Sequence, residues 1–243
     1  MNIKGAGDLS IVTRGHLCYG IGCAADGSMG SIEFNHSGKV SVRVDGEQSI
    51  AIGGGIYKNG RGIKFLSGHL EVSVAAVDAV GIGCFYGDVP IRIKDSNIDM
   101  DFRVNSGSAI GSFYGQQDIE FANTNLTIKG SGSAVSGVGS NNVSGGYIRF
   151  DRGKLKIAMS GQEIYLMGVK GGKLSITLKE IGGWFKGEGN KVLAIGSGSR
   201  TASVRLDETI IDVLINSAEA CGFGTEDSSF TVIGKEPTLH INE

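Results

Sequence analysis

The sequence predicts an all-β protein: one parallel β-helix over residues 1–243, with three strand columns in each of about eight coils and right-handed winding as the expected hand. Three observations predict it. Glycine is in large excess without a collagen period, a short glycine-ending marker recurs every 28 to 31 residues, and two alternating apolar pairs keep step with that marker.

The chain has 41 glycines and 2 prolines, and 40% of its residues are apolar. There is no G-x-y repeat, and the apolar content is too high for a disordered segment. Abundant glycine beside Val and Ile instead implies short strands joined by tight corners. The marker reads Gly20-Ile21-Gly22, Ala51-Ile52-Gly53, Gly81-Ile82-Gly83 and Ala109-Ile110-Gly111, then Gly137-Val138-Gly139, Leu166-Met167-Gly168, Ala194-Ile195-Gly196 and Gly222-Phe223-Gly224. Its final glycines are 31, 30, 28, 28, 29, 28 and 28 residues apart.

A second marker alternates with it: Ile32/Phe34, Ile63/Phe65, Ile91/Ile93 and Ile119/Phe121 in the first half, continuing to Phe230/Val232. The residue between the two is mostly polar, as a strand with one buried face requires. A third marker runs from Leu9/Ile11 and Val40/Val42 to Leu239/Ile241, and Gly183/Phe185 fits it poorly. Stacked about 4.8 Å apart, such coils would line up their inward residues along one core. Truncating Ile119 or Phe121 is then expected to cost roughly 2–5 kcal/mol. Propellers need longer units, and the leucine and asparagine pattern of leucine-rich repeats is missing.

Ala109-Ile110-Gly111-Ser112 and Ala194-Ile195-Gly196-Ser197-Gly198 resemble the AIG-type coil marker of glycine-rich β-solenoid repeat domains in bacterial surface and multidomain proteins. The resemblance is one of repeat pattern. It implies the solenoid fold and brings no catalytic residue with it.

Bulk properties exclude several function classes. Lys and Arg number 23 against 25 Asp and Glu, so the basic excess of a nucleic-acid binder is missing. No uninterrupted apolar run is long enough to span a membrane, and the first twenty residues do not read as a signal peptide. Cys18, Cys23, Cys84 and Cys221 lack the paired spacing of a zinc site and read as free thiols. Cys23 and Cys84 would sit two coils, or about 9.6 Å, apart, too far for a disulfide. Free thiols mildly favour a reducing compartment. The localisation expected is the cell surface if the chain belongs to a longer exported protein, and the cytoplasm otherwise.

Two groups of residues are candidates for chemistry. Glu71 and Asp99 occupy equivalent outward positions on adjacent coils, and Asp101 faces outward beside Asp99, with Arg43, Ser73 and Lys129 in its column. Close carboxylates can share acid-base work or attract a cation. Phe85 and Phe113 follow the coil glycine by two residues and Tyr86 and Tyr114 by three, with Tyr57 one step farther along the preceding coil. These five would form an aromatic ladder able to take a sugar or a partner surface, or else ordinary corner packing. Outward residues of the second marker, including Glu33/Lys64 and Arg92/Glu120/Arg149, suggest a ladder of exposed ion pairs that holds register. The four histidines show no convergence in this frame, and Gly53-Gly54-Gly55 lacks the Lys-Ser or Lys-Thr ending of a phosphate loop.

The leading functional expectation is a non-catalytic solenoid scaffold or binding module within a larger protein. The alternative is a carbohydrate-active domain using Glu71, Asp99 and Asp101 as acid-base residues beside the aromatic ladder. Neither needs an organic cofactor or a metal. Both ends of the sequence fall part-way through a coil, from which a flanking domain or end-to-end self-association is expected.

Overall fold

The computed structural model describes residues 1–24, 26–57, 62–199, 201–224, 229–232 and 238–242, and none of these is helical. They form one all-parallel β-solenoid of about eight coils. Each coil has an A segment (Ile32–His36 and Pro90–Lys94 are examples), then a B segment and a C segment. The stacking follows the sequence markers residue for residue. Ile63 pairs with Ile32 and Ile91, Ile119 with Ile91 and Ile148, and Ile176 with Ile148 and Val204. In the B column Val40, Leu70, Ile98, Leu126 and Leu155 succeed one another. Gly183 and Phe185, the poor fit in the sequence, keep register with Leu155 and Ile157, and Phe185 is fully buried.

Segments B and C are not separate strands as the three-column pattern suggested. They run on as single strands, Lys39–Tyr57 and Gly68–Tyr86 for example, and Gln117–Val143 spans all three segments. The reason is the size of the bends. Pairing skips one residue at Glu47/Val77 and one at Ala51/Gly81, then resumes on either side. A corner made by one residue leaves the ladder hydrogen bonds flanking it intact.

The second of those bends explains the small-Ile-Gly marker. Ala51, Ala109 and Ala194 are fully buried where two parts of the coil meet. The marker's last glycine has a left-handed φ in every coil but that of Gly168, +149° at Gly83 and +147° at Gly111 for example, and a Cβ on Gly83 would lie 1.8 Å from the Gly111 carbonyl oxygen. No side chain fits between coils at that point. The bend also leaves a notch on the outer side of the coil, which Ile50, Val80, Phe85 and Phe113 fill as a second, smaller core.

The corner from A to B uses a different device. Asp95, Asn123, Arg152, Glu180 and Glu208 occupy equivalent positions with φ between 47° and 60°. The next residue often carries a hydroxyl that donates inward: Thr124 to the Ala122 carbonyl at 3.0 Å, Thr209 to Asp207 at 2.9 Å and Leu178 at 3.1 Å. Left-handed backbone costs a non-glycine residue about 1–2 kcal/mol, least for Asn and Asp.

Two substitutions separate these glycine requirements. Gly83→Ala is expected to lower stability by more than about 3 kcal/mol, since backbone must move to admit the methyl group. Glu180→Gly should raise it by about 0.5–1 kcal/mol, the relief of strain being partly offset by the freer unfolded chain. Urea unfolding of both variants measures the two changes, and opposite signs are the expected result.

Candidate functional site

A surface concavity of about 490 Å³ lies on the outward side of segment B. Ser41, Arg43, Glu71, Asp99, Asp101 and Lys129 are among the residues that line it. Two outward rows border it. One passes through Ser41, Glu71, Asp99 and Thr127, the other through Arg43, Ser73, Asp101 and Lys129. The three carboxylates are therefore neighbours, in the arrangement that their spacing implied.

Each carboxylate also has a basic partner. Lys39 Nζ lies 2.6 Å from Glu71 Oε1, His69 Nε2 lies 3.0 Å from Asp99 Oδ2, and the Arg103 guanidinium donates twice to Asp101 at 3.0 and 2.8 Å. His69 Nε2 is also 3.9 Å from Glu71 Oε1, which places the imidazole between two coils' acids. The sequence reading assigns this histidine no partner, and the structure sets it against both acids. His69 precedes Glu71 by two, so both face outward on one strand, and the spacing was a readable signal. The acids remain half-exposed, with side-chain exposures of 42%, 53% and 46% for Glu71, Asp99 and Asp101. Among the described residues no group of His, Cys, Asp and Glu is arranged to hold a metal ion.

The aromatic ladder divides into two layers. Phe85 and Phe113 meet edge to face with centroids 5.6 Å apart and are buried in the notch. Tyr86 and Tyr114 stack at 5.2 Å with planes 11° apart, and about half of each ring is exposed. Tyr57 packs against the main core, and Ile56 rather than Tyr57 pairs with Tyr86. The accessible part of the ladder is the tyrosine pair at the end of segment C. No aromatic residue lines the segment B concavity.

Below Tyr114 sits a clamp that composition and periodicity do not announce. Gln117, 2% exposed, donates from Nε2 to the Ser112 carbonyl at 2.9 Å, the Gly115 carbonyl at 3.1 Å and Ser144 Oγ at 2.9 Å, while its Oε1 accepts from the Ser112 amide at 3.0 Å. A fully bonded buried amide makes the C-to-A corner rigid.

On segment A the expected ion-pair ladder is realised in part. Arg92 reaches Glu120 at 3.2 Å, Asp118, and the Tyr147 hydroxyl at 2.9 Å. Arg149 turns to Asp151 at 3.7 Å, and Glu33 and Lys64 are register partners with no ion pair between them. Burial, then hydrogen bonding with Asp118, raises the Tyr147 phenol to about 12. At Glu163 burial opposes ionisation, but the Tyr165 hydroxyl and Lys170 outweigh it and hold the carboxyl below its usual range.

Comparison with protein-family models, curated proteins and solved structures returns no match. No helix among the described residues is long and apolar enough to cross a membrane.

The cysteines are all free. Cys84 is fully buried, and that burial pushes its thiol up to about 11, against the opposing hydrogen bonds from Ser112 and the Val89 backbone. At pH 8 about one molecule in a thousand would carry a thiolate there. Iodoacetamide labelling of the native protein at pH 8, mapped by mass spectrometry, should leave Cys84 unmodified until denaturant is added. Rapid native labelling would contradict the burial.

Proposed function

We propose that this chain is a non-catalytic solenoid scaffold or binding module. The observation that carries the reading is the engagement of each groove carboxylate by its own nitrogen-bearing side chain: Glu71 by Lys39, Asp99 by His69, Asp101 by Arg103. Catalytic carboxylate pairs work by environments that push their proton affinities apart, through burial or mutual repulsion. Here both acids of the adjacent coils are half-exposed, each against a side chain of its own, Lys39 for Glu71 and His69 for Asp99. Such pairs each contribute under about 1 kcal/mol to stability and are better suited to holding coils in register. The ladder backbone supplies a rigid support, and the outward rows supply a surface whose charges and rings can be met by a partner.

The carbohydrate-active reading draws on the same concavity, which is long enough to cross several coils and bears three acids. Against it stands the separation of acids and aromatics. Sugar sites usually combine stacking rings with polar groups in one depression, whereas Tyr86 and Tyr114 lie outside this one.

Incubation with neutral and acidic polysaccharides separates the two readings. The scaffold reading predicts no new reducing ends and no unsaturated product. It also predicts that Glu71→Gln and Asp99→Asn shift the unfolding free energy by less than about 1 kcal/mol. Turnover by the parent protein that disappears in both variants would overturn it.

A further inference from the structure

The outward side of segment B is not uniform in charge. Glu71, Asp99 and Asp101 occupy the third and fourth coils, while Lys129, Lys154 and Lys156 occupy the fifth and sixth. All three lysines are exposed and make no ion pair among the described residues. Exposed apolar side chains stand in one row at Val12 in the first coil, 55% exposed, and Leu214 in the eighth, 43% exposed, with Asn242 following Leu214. Over the third to sixth coils the charges of the two rows complement themselves when reversed end to end.

We propose that segment B is a homodimer interface, in which a second copy of this chain packs face to face with its coils stacked in the opposite direction. This rests on the non-catalytic reading of the same face and names its partner. The two-fold axis runs parallel to the strands, between the fourth and fifth coils. It keeps every outward row opposite itself and exchanges third coil with sixth, fourth with fifth, and first with eighth.

In the middle coils the exchange joins unlike charges. Glu71 and Lys156 share a row, three coils apart in the chain, and Glu71 meets Lys156 of the second copy. Asp101 meets Lys129 of the second copy in the next row, and Val12 meets Leu214 in that same row. Two contacts join like charges, Arg43 opposite Lys186 and Asp45 opposite Glu188 in the next row; the diagonals Arg43 to Glu188 and Lys186 to Asp45 offset them. Ser41, a small residue, falls opposite the lone tryptophan, Trp184. A face seven residues wide and eight coils tall measures roughly 800 Å² per copy, the size of a standard specific interface. An isologous interface requires this self-complementarity, and chance charge placement on a solvated face does not.

The test uses two charge reversals on the full chain. Within one chain Glu71 and Lys156 are about 14 Å apart, so they do not pair with each other. Sedimentation equilibrium from about 1 to about 100 µM should show the parent protein as a dimer that weakens as salt rises. Glu71→Lys alone and Lys156→Glu alone should each weaken it at least about ten-fold, because both contacts become like-charged. An equimolar mixture of the two variants restores both contacts, and a heterodimer near parental affinity is the expected result. Circular dichroism checks that each variant is folded. Leu214→Glu, at an exposed position, gives an independent weakening if Glu71→Lys fails to fold.

A parent protein that stays monomeric at the highest concentration overturns the proposal. So does a dimer indifferent to these charges, or a monomer that uses Lys129 and Lys156 to bind polygalacturonate. A monomer would leave the non-catalytic reading standing, whereas polysaccharide turnover would overturn that reading without changing the oligomeric measurement.

Discussion

Each coil of this protein must present the same backbone path to the coils above and below it, about 4.8 Å away, and everything else follows from that stacking. At the Gly83 and Gly111 level the requirement is steric, because a carbonyl of the next coil stands where a side chain would be. Inside, the same repetition aligns equal residue types. Phe121 stacks on Phe150 with centroids 4.7 Å apart, and Ile, Val and Leu fill the rest of a continuous core. Parallel pairing also makes the outer surface a set of straight rows, so that charge placed once per coil becomes a column.

Those columns decide what the surface can do. A residue two positions along the strand and a residue one coil away are both neighbours, and groups far apart in sequence meet on one face. His69, Glu71 and Asp99 come together in this way, as do Arg92, Glu120 and Tyr147. On segment B the outcome is a depression lined by acids with nitrogen-bearing neighbours in the third and fourth coils, and lysines with no ion pair among the described residues in the fifth and sixth. A scaffold needs its own coils held in register and its surface left for others. Both are served by pairs that are weak singly and specific collectively.

The period, the inward columns and the neighbour relation of Glu71, Asp99 and Asp101 were legible in the sequence, because one residue of slip would turn each buried side chain outward. The tyrosine and phenylalanine stacking was legible for the same reason. What could not be read was local geometry that period alone does not set. The single-residue bends at Glu47 and Ala51 merge strands that the markers separate, and the notch above Ala51 buries Phe85 and Phe113 while leaving Tyr86 and Tyr114 exposed. Gln117 is one polar residue in an unremarkable stretch until Ser112, Gly115 and Ser144 close around it. The pairing of His69 with Asp99 needed only the strand's two-residue alternation, and could have been found from it.

If stacking equivalence is the organising constraint, a whole coil can be removed without disturbing the rest. Ile148 and Ile176 are register partners, so deleting residues 148–175 joins Tyr147 to Ile176 with every later residue one coil nearer its new neighbour. Denaturant unfolding of this deletion, beside one that removes only residues 148–161, measures the constraint directly. The account predicts a cooperative, β-rich protein for the full-coil deletion and loss of cooperative folding for the half-coil deletion. Equal collapse of both would contradict it.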